Sequence, residues 1–128
     1  MLLPRNLFVY GTLRDAENEY GALLRCSGEW VGAGRVKGRL YRIGRNRGMV
    51  YPGLVPSNEE GNWVRGEVYR LRAPGALYRV LDQYEGRDYP RDAIAVLLDS
   101  GEWVRAAVYR YAGSLTGKRR IASGDFLS

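Results

Sequence analysis

The sequence predicts an α+β fold, a small curled or closed mixed sheet with two helices packed against it. Three observations lead there. Segments of strand character outnumber helical ones and run strand, helix, two or three strands, helix, hairpin, tail. Gly32, Gly34 and Gly38 interrupt one long strand segment, as a strongly bent strand requires. The 128 residues suit one domain spanning 1–128, and no repeat, low-complexity segment or linker divides them.

Leu7-Phe8-Val9-Tyr10 is a continuous apolar run ending at Gly11 and reads as a strand buried on both faces. Asp15 to Arg25 reads as a short helix with Asp15 as N-cap, Glu17 and Glu19 at its positive end, and Gly28 as the stop. Trp30 to Ile43, rich in β-branched and aromatic residues, is the bent strand, followed by a turn over Gly44–Gly48. Met49 to Val55 is a further apolar segment interrupted by Pro52-Gly53, and Pro56 to Asn62 is polar loop. Trp63 to Leu71 alternates and is a strand. Pro74 opens a second helix with an apolar stripe of Ala76, Leu77, Val80, Leu81 and Tyr84, terminated by Gly86. Ala93–Leu98 and Trp103–Tyr111 form a hairpin around Asp99-Ser100-Gly101, and the tail, with Lys118-Arg119-Arg120, is a solvated loop.

Composition excludes much chemistry. There is no His, which removes Ser-His-Asp and Cys-His machinery and every His-based metal site. The one Cys, Cys26, permits neither an internal disulfide nor a zinc cluster and reads as a small apolar residue. Acid–base catalysis at neutral pH is left to a carboxyl, a Lys, a Tyr or Cys26. No apolar run approaches the roughly 20 residues that span a bilayer, and no signal-peptide pattern stands at the N-terminus, so a soluble, cytoplasmic protein without membrane partners is expected. The net charge is +6, and the stretch Arg35, Lys37, Arg39, Arg42, Arg45, Arg47 holds no acid. Its first three cations alternate, placing them on one strand face; a solvated face followed by a loop is the expected reading, a basic surface that binds an anion or RNA is the alternative, and a nucleic-acid partner is not expected from charge alone.

Two places could carry chemistry. Tyr10-Gly11-Thr12-Leu13-Arg14 lies where a buried strand meets a helix start, where backbone N–H groups can receive a carboxylate or oxyanion, or where the turn is merely structural. Glu85 sits in the last turn of the second helix, where the negative end of the dipole and the flanking Tyr84 and Tyr89 raise a carboxyl pKa toward that of a general base. A surface pair with Arg87 or Arg91 is the alternative. Glu67, on a strand, would need a partner if it faced inward, and Asp82, off the apolar stripe, is expected in solvent.

Taken together, "FVYGTLR", "YPGLV", "GEVYRL", "LDQYEG" and "AVYRY" resemble the gamma-glutamylcyclotransferase-like superfamily, in its small single-domain branch that includes gamma-glutamylamine cyclotransferases. The resemblance runs in order from about Leu7 to Tyr111. It implies a small mixed β-barrel with helices around it. It implies cofactor-independent cyclisation of a gamma-glutamyl amine or amino acid to 5-oxoproline. By the same resemblance Glu85 is the acid–base residue, Gly11, Thr12 and Leu13 cradle the substrate, and Tyr10 lines the pocket. Arg14, Tyr89, Arg91, Tyr109 and Tyr111 are further candidates for the pocket wall. A non-catalytic module binding a small molecule or RNA on the same barrel is the alternative class.

Overall fold

Strand β1, Asn6–Val9, is the axis of the structure, a computed structural model that describes residues 4–15, 17–46 and 49–127. Its side chains alternate between two cores. Phe8, with Tyr10 just beyond, points into a barrel interior shared with Val36, Leu40, Val64, Val68 and Val96. Leu7 and Val9 point the other way, into a layer where Leu24, Leu77, Tyr78 and Leu81 of two helices pack on the barrel wall. That double burial is why the run is apolar at every position.

The barrel closes through five strands: β1; β2, Gly28–Asn46; β4, Trp63–Leu71; β5, Arg91–Leu98; and β6, Trp103–Tyr109. The ring runs β2-β4-β1-β6-β5 and is completed by antiparallel pairing of Gly34 and Arg35 with Leu98 and Leu97. Among the described residues only β1 and β6 run parallel, so the sheet is mixed. The 19-residue β2 serves the barrel with its first half and then leaves it, pairing with β3, Met49–Pro56, and with β7, Arg119–Arg120. Bulges at Trp30/Gly32 and Arg42/Gly44 let it bend. Among the described residues no helix is long and apolar enough to cross a membrane.

Several boundaries depart from the sequence expectation. Helix α1 is Glu19–Ser27, not Asp15–Arg25, and its cap is Asn18, whose Oδ1 accepts from the N–H of Tyr20 and Gly21. Thr12–Arg14 forms a separate 3-10 turn, and Asp15 turns instead to the Glu17 N–H. Both candidates satisfy cap chemistry; the turn ahead of Asp15 decides between them. The turn over Gly44–Gly48 is strand as far as Asn46, while Arg47 and Gly48 lie outside the described residues. β6 stops at Tyr109, two residues early, and the tail is not all loop, because β7 bonds to Tyr41 and Arg42.

Helix α2, Pro74–Glu85, starts and stops as its Pro and Gly predict; Gly86 takes φ 80°, which any other residue adopts at a cost. Its buried face is Leu77, Tyr78 and Leu81, whereas Val80 is 41% exposed. The stripe is therefore rotated from the predicted one. It continues at i+4 and i+8 from Leu77 through Leu81 to Glu85.

Candidate active site

That rotation sets the position of Glu85. On the inward stripe of α2, its carboxyl enters a cleft of about 990 Å³ between the helix end, the 10–13 loop and the start of β3. Burial alone pushes its pKa up to about 7. No ion pair or hydrogen bond reaches it among the described residues. Arg91, the suggested surface partner, binds Asp82 instead (Nε to Oδ1, 3.0 Å). Asp82 lies in solvent as expected, its side chain 45% exposed, but it is also paired there: partial burial opposes its ionisation, while hydrogen bonds from Arg91 and from the Tyr109 hydroxyl (2.6 Å) hold its carboxyl below the usual range.

The loop that faces Glu85 is held from behind. The Tyr10 hydroxyl is buried, donates to the Tyr109 carbonyl (2.6 Å) and accepts from the Leu54 N–H (3.1 Å). Burial drives its phenol far above the ordinary range, and the Leu54 bond offsets only part of that. Gly11 follows with Pro52 packed against it, so close that a Cβ would stand 2.9 Å from the proline ring. The Gly11 carbonyl accepts from the Arg14 N–H and the Thr12 carbonyl from the Asp15 N–H. The N–H groups of Gly11, Thr12 and Leu13 open the turn and have no acceptor among the described residues.

Tyr10, Gly11, Thr12, Leu13, Glu85, Tyr89 and Tyr109 therefore line one cleft. The Glu85 charge is felt by the phenols of Tyr10, Tyr89 and Tyr109, each kept neutral mainly by burial. Tyr89 is fixed by donating to the Pro52 carbonyl (2.8 Å). The other candidates lie elsewhere. Arg14 turns away to Glu67 and Asp125, Arg91 is engaged by Asp82, and Tyr111 packs behind the wall, edge-on to Tyr89 at 5.3 Å. Glu67 points away from the barrel interior, which Val64 and Val68 of the same strand fill, and pairs with Arg14 (3.0 Å), with the Trp30 indole N–H on its other oxygen. Cys26 is exposed, not an apolar core residue.

Sequence reasoning missed Asn18, Tyr20, Tyr51 and Arg87 on the cleft wall, and took Tyr84 for a stripe residue. Tyr84 stacks on Tyr20 (centroids 3.9 Å apart), and its hydroxyl meets Thr12 Oγ1 and Asn18 Nδ2, each at 3.3 Å. It thereby joins the end of α2 to the loop 72 positions earlier. Tyr51-Pro52 stands in the noticed segment "YPGLV" and Tyr84 in "LDQYEG", while Arg87 enters the sequence reading only as an ion-pair partner for Glu85.

The family described as Gamma-glutamyl cyclotransferase, AIG2-like matches residues 7–128. A Methanocaldococcus jannaschii protein provisionally named a gamma-glutamylcyclotransferase, MJ1514, is 30% identical over 125 residues, covering 94% of this chain and 93% of that protein. YkqA of Bacillus subtilis, named in the same provisional way, is 30% identical over 122 residues, and this chain spans 40% of its length. The YkqA crystal structure superposes with a TM-score of 0.71 at 28% identity over 97% of this chain. That of an AIG2-like protein from Mus musculus does so with 0.68 at 27% identity, over 88% of this chain and 81% of its own.

Proposed function

The chain belongs to the AIG2-like gamma-glutamyl cyclotransferase family of enzymes, and from that premise we propose that it cyclises a gamma-glutamyl amine or gamma-glutamyl amino acid to 5-oxoproline with release of the free amine. The substrate supplies its own nucleophile. Its α-amine attacks its γ-carbonyl, a five-membered ring closes and the C–N bond to the amine breaks, so proximity is built into the reactant. The protein has three tasks left: to take a proton from the α-ammonium, to stabilise the oxyanion, and to protonate the leaving amine.

Glu85 performs the first and third. A carboxyl with a pKa of about 7 is half ionised at neutral pH and can accept a proton and then return it. The free N–H groups of Gly11, Thr12 and Leu13 perform the second. Tyr10 holds the loop rigid and, being buried and neutral, takes no part in proton transfer. Tyr89 and Tyr109 shield Glu85 from water and maintain its raised pKa.

The observation that carries this reading is the placement of a partnerless, half-buried carboxyl across one cleft from unpaired backbone donors. A module that only bound its ligand would have no use for an ionisable group in that condition. The test is a panel of gamma-glutamyl amines and amino acids with 5-oxoproline detection. At least one should be cyclised, and Glu85→Gln should lower that turnover by roughly 10²–10⁴-fold while 5-oxoproline still binds. Turnover of none of them would overturn the proposal.

A further inference from the structure

The outer face of the barrel carries a side-chain cluster that cyclisation does not use. Four adjacent strands lay one cross-strand row on it: Arg65 of β4 opposite Arg35 of β2, Arg35 opposite Leu97 of β5, and Leu97 opposite Trp103 of β6. The next row adds Trp63 opposite Lys37. All point outward, because the residues alternating with them, Val36, Val64 and Val96, fill the barrel interior. Arg120 of β7 reaches the same edge through its bond to Asn62 Oδ1 (2.6 Å). None of these side chains lines the cleft.

Two indoles and four cations meet there, three of the cations without an ion pair among the described residues. The Trp63 and Trp103 rings lie 6.5 Å apart between centroids, tilted by 41°. The Arg35 guanidinium sits 4.4 Å from the centre of the Trp63 ring and the Lys37 ammonium 5.9 Å from it. Trp103 is 54% exposed, an unusual place for the side chain that contributes most when buried. Asp99 takes Arg65 in a bidentate pair and also lies near enough to sense Arg35, but Arg35, Lys37 and Arg120 have no ion pair of their own among the described residues.

We propose that this face binds single-stranded nucleic acid, with bases stacking on Trp103 and on the Trp63–Arg35 stack while Arg35, Lys37 and Arg120 hold phosphates. Exposed aromatic planes beside unpaired cations are what such a strand needs. Other occupants fit less well. A second copy would press two cationic faces together. A protein partner would have to bury Lys37, a residue type that interface cores avoid. Leu97 is the one aliphatic side chain in the two rows, too little for insertion into lipid. The sequence expectation against nucleic acid rested on charge; the indole pair beside those charges is what only the fold reveals. The proposal is independent of the cyclotransferase reading.

The test is titration of the full chain with an oligouridylate of about 12 nucleotides, read by tryptophan fluorescence. Saturable quenching is expected, with log affinity falling against log salt at a slope of about −2, since three cations count about 0.7 each on a single strand. Trp103→Ala should weaken oligouridylate binding roughly ten-fold, within the range of one stacked base, while heparin, a polyanion without bases, binds both proteins alike. Lys37→Glu should weaken both ligands. Neither substitution should alter the thermal midpoint by more than a degree or two, nor any cyclisation the wild type performs. No quenching at about 50 mM salt would overturn the proposal. So would unchanged oligouridylate affinity in Trp103→Ala, salt-stable self-association through this face, or equal affinity for phosphatidylserine vesicles.

Discussion

At Glu85, burial decides how the carboxyl titrates. An unfolded Glu titrates near 4.5, and in the folded chain burial moves it to about 7. The stability this carboxyl contributes is thus fully present below about pH 4.5 and lost as pH rises through about 7, a loss on the order of 2–3 kcal/mol. Glu85→Gln should therefore raise the thermal midpoint at pH 8 and leave it nearly unchanged at pH 4, as calorimetry at the two pH values would show. The same substitution should lower kcat by roughly 10²–10⁴-fold, the usual worth of a general acid–base group. An ion-paired, structural Glu85 predicts the opposite on both counts. In the wild type, kcat/KM should rise with pH to a plateau, with a midpoint near 7 set by deprotonation of the free enzyme.

Among the elements, α1 and α2 show how local chemistry selects boundaries and packing selects faces. Asn18, not Asp15, receives the first N–H groups of α1. Asn18→Ala should cost about 1 kcal/mol in denaturant unfolding, and Asp15→Ala no more than about 0.5 kcal/mol. Equal losses would mean that both serve as caps. For α2, Leu81 lies one turn before Glu85 on the buried stripe and is fully enclosed. Leu81→Ala should cost about 2–5 kcal/mol through the cavity it leaves. It should also lower turnover in the protein that remains folded, because the last turn of α2 loses its seat on the barrel.

For the whole molecule, Arg14 joins parts that are remote in sequence. From the turn after β1 its guanidinium reaches Glu67 on β4 and Asp125 in the tail, at 3.0 Å each. The Arg14 side chain is only 10% exposed, so this network is shielded as the pairs Arg65–Asp99 and Arg110–Asp92 are not. Arg14→Ala should lower unfolding stability by about 1.5–3 kcal/mol, the worth of hydrogen bonds to charged partners. Arg14→Lys should recover little of it, because a single ammonium cannot serve carboxylates on two sides as the guanidinium fork does. Chemical denaturation of the two variants checks both statements.

The sequence by itself determined what is set by neighbours along the chain. Apolar runs and alternation gave most strands, Pro74 and Gly86 bounded α2, the glycines of β2 marked its bend, and the absence of His narrowed acid–base chemistry to a carboxyl, a Lys, a Tyr or Cys26. Paired motifs at Tyr10–Leu13 and Glu85 led to the family and hence to the barrel. Tertiary structure decided what depends on groups far apart in sequence. It rotated the α2 stripe so that Glu85 follows Leu81 inward, because the helix must bury Leu77, Tyr78 and Leu81 against β1, β4 and β6, and a helix presents only one face at a time. It turned Arg14 and Arg91 from the cleft, since each met a carboxylate only once the strands were in register. It brought Trp63 and Trp103 together from β4 and β6. A one-dimensional pattern can report which face a side chain takes on its own strand, but which strands stand beside it is settled by closing the barrel.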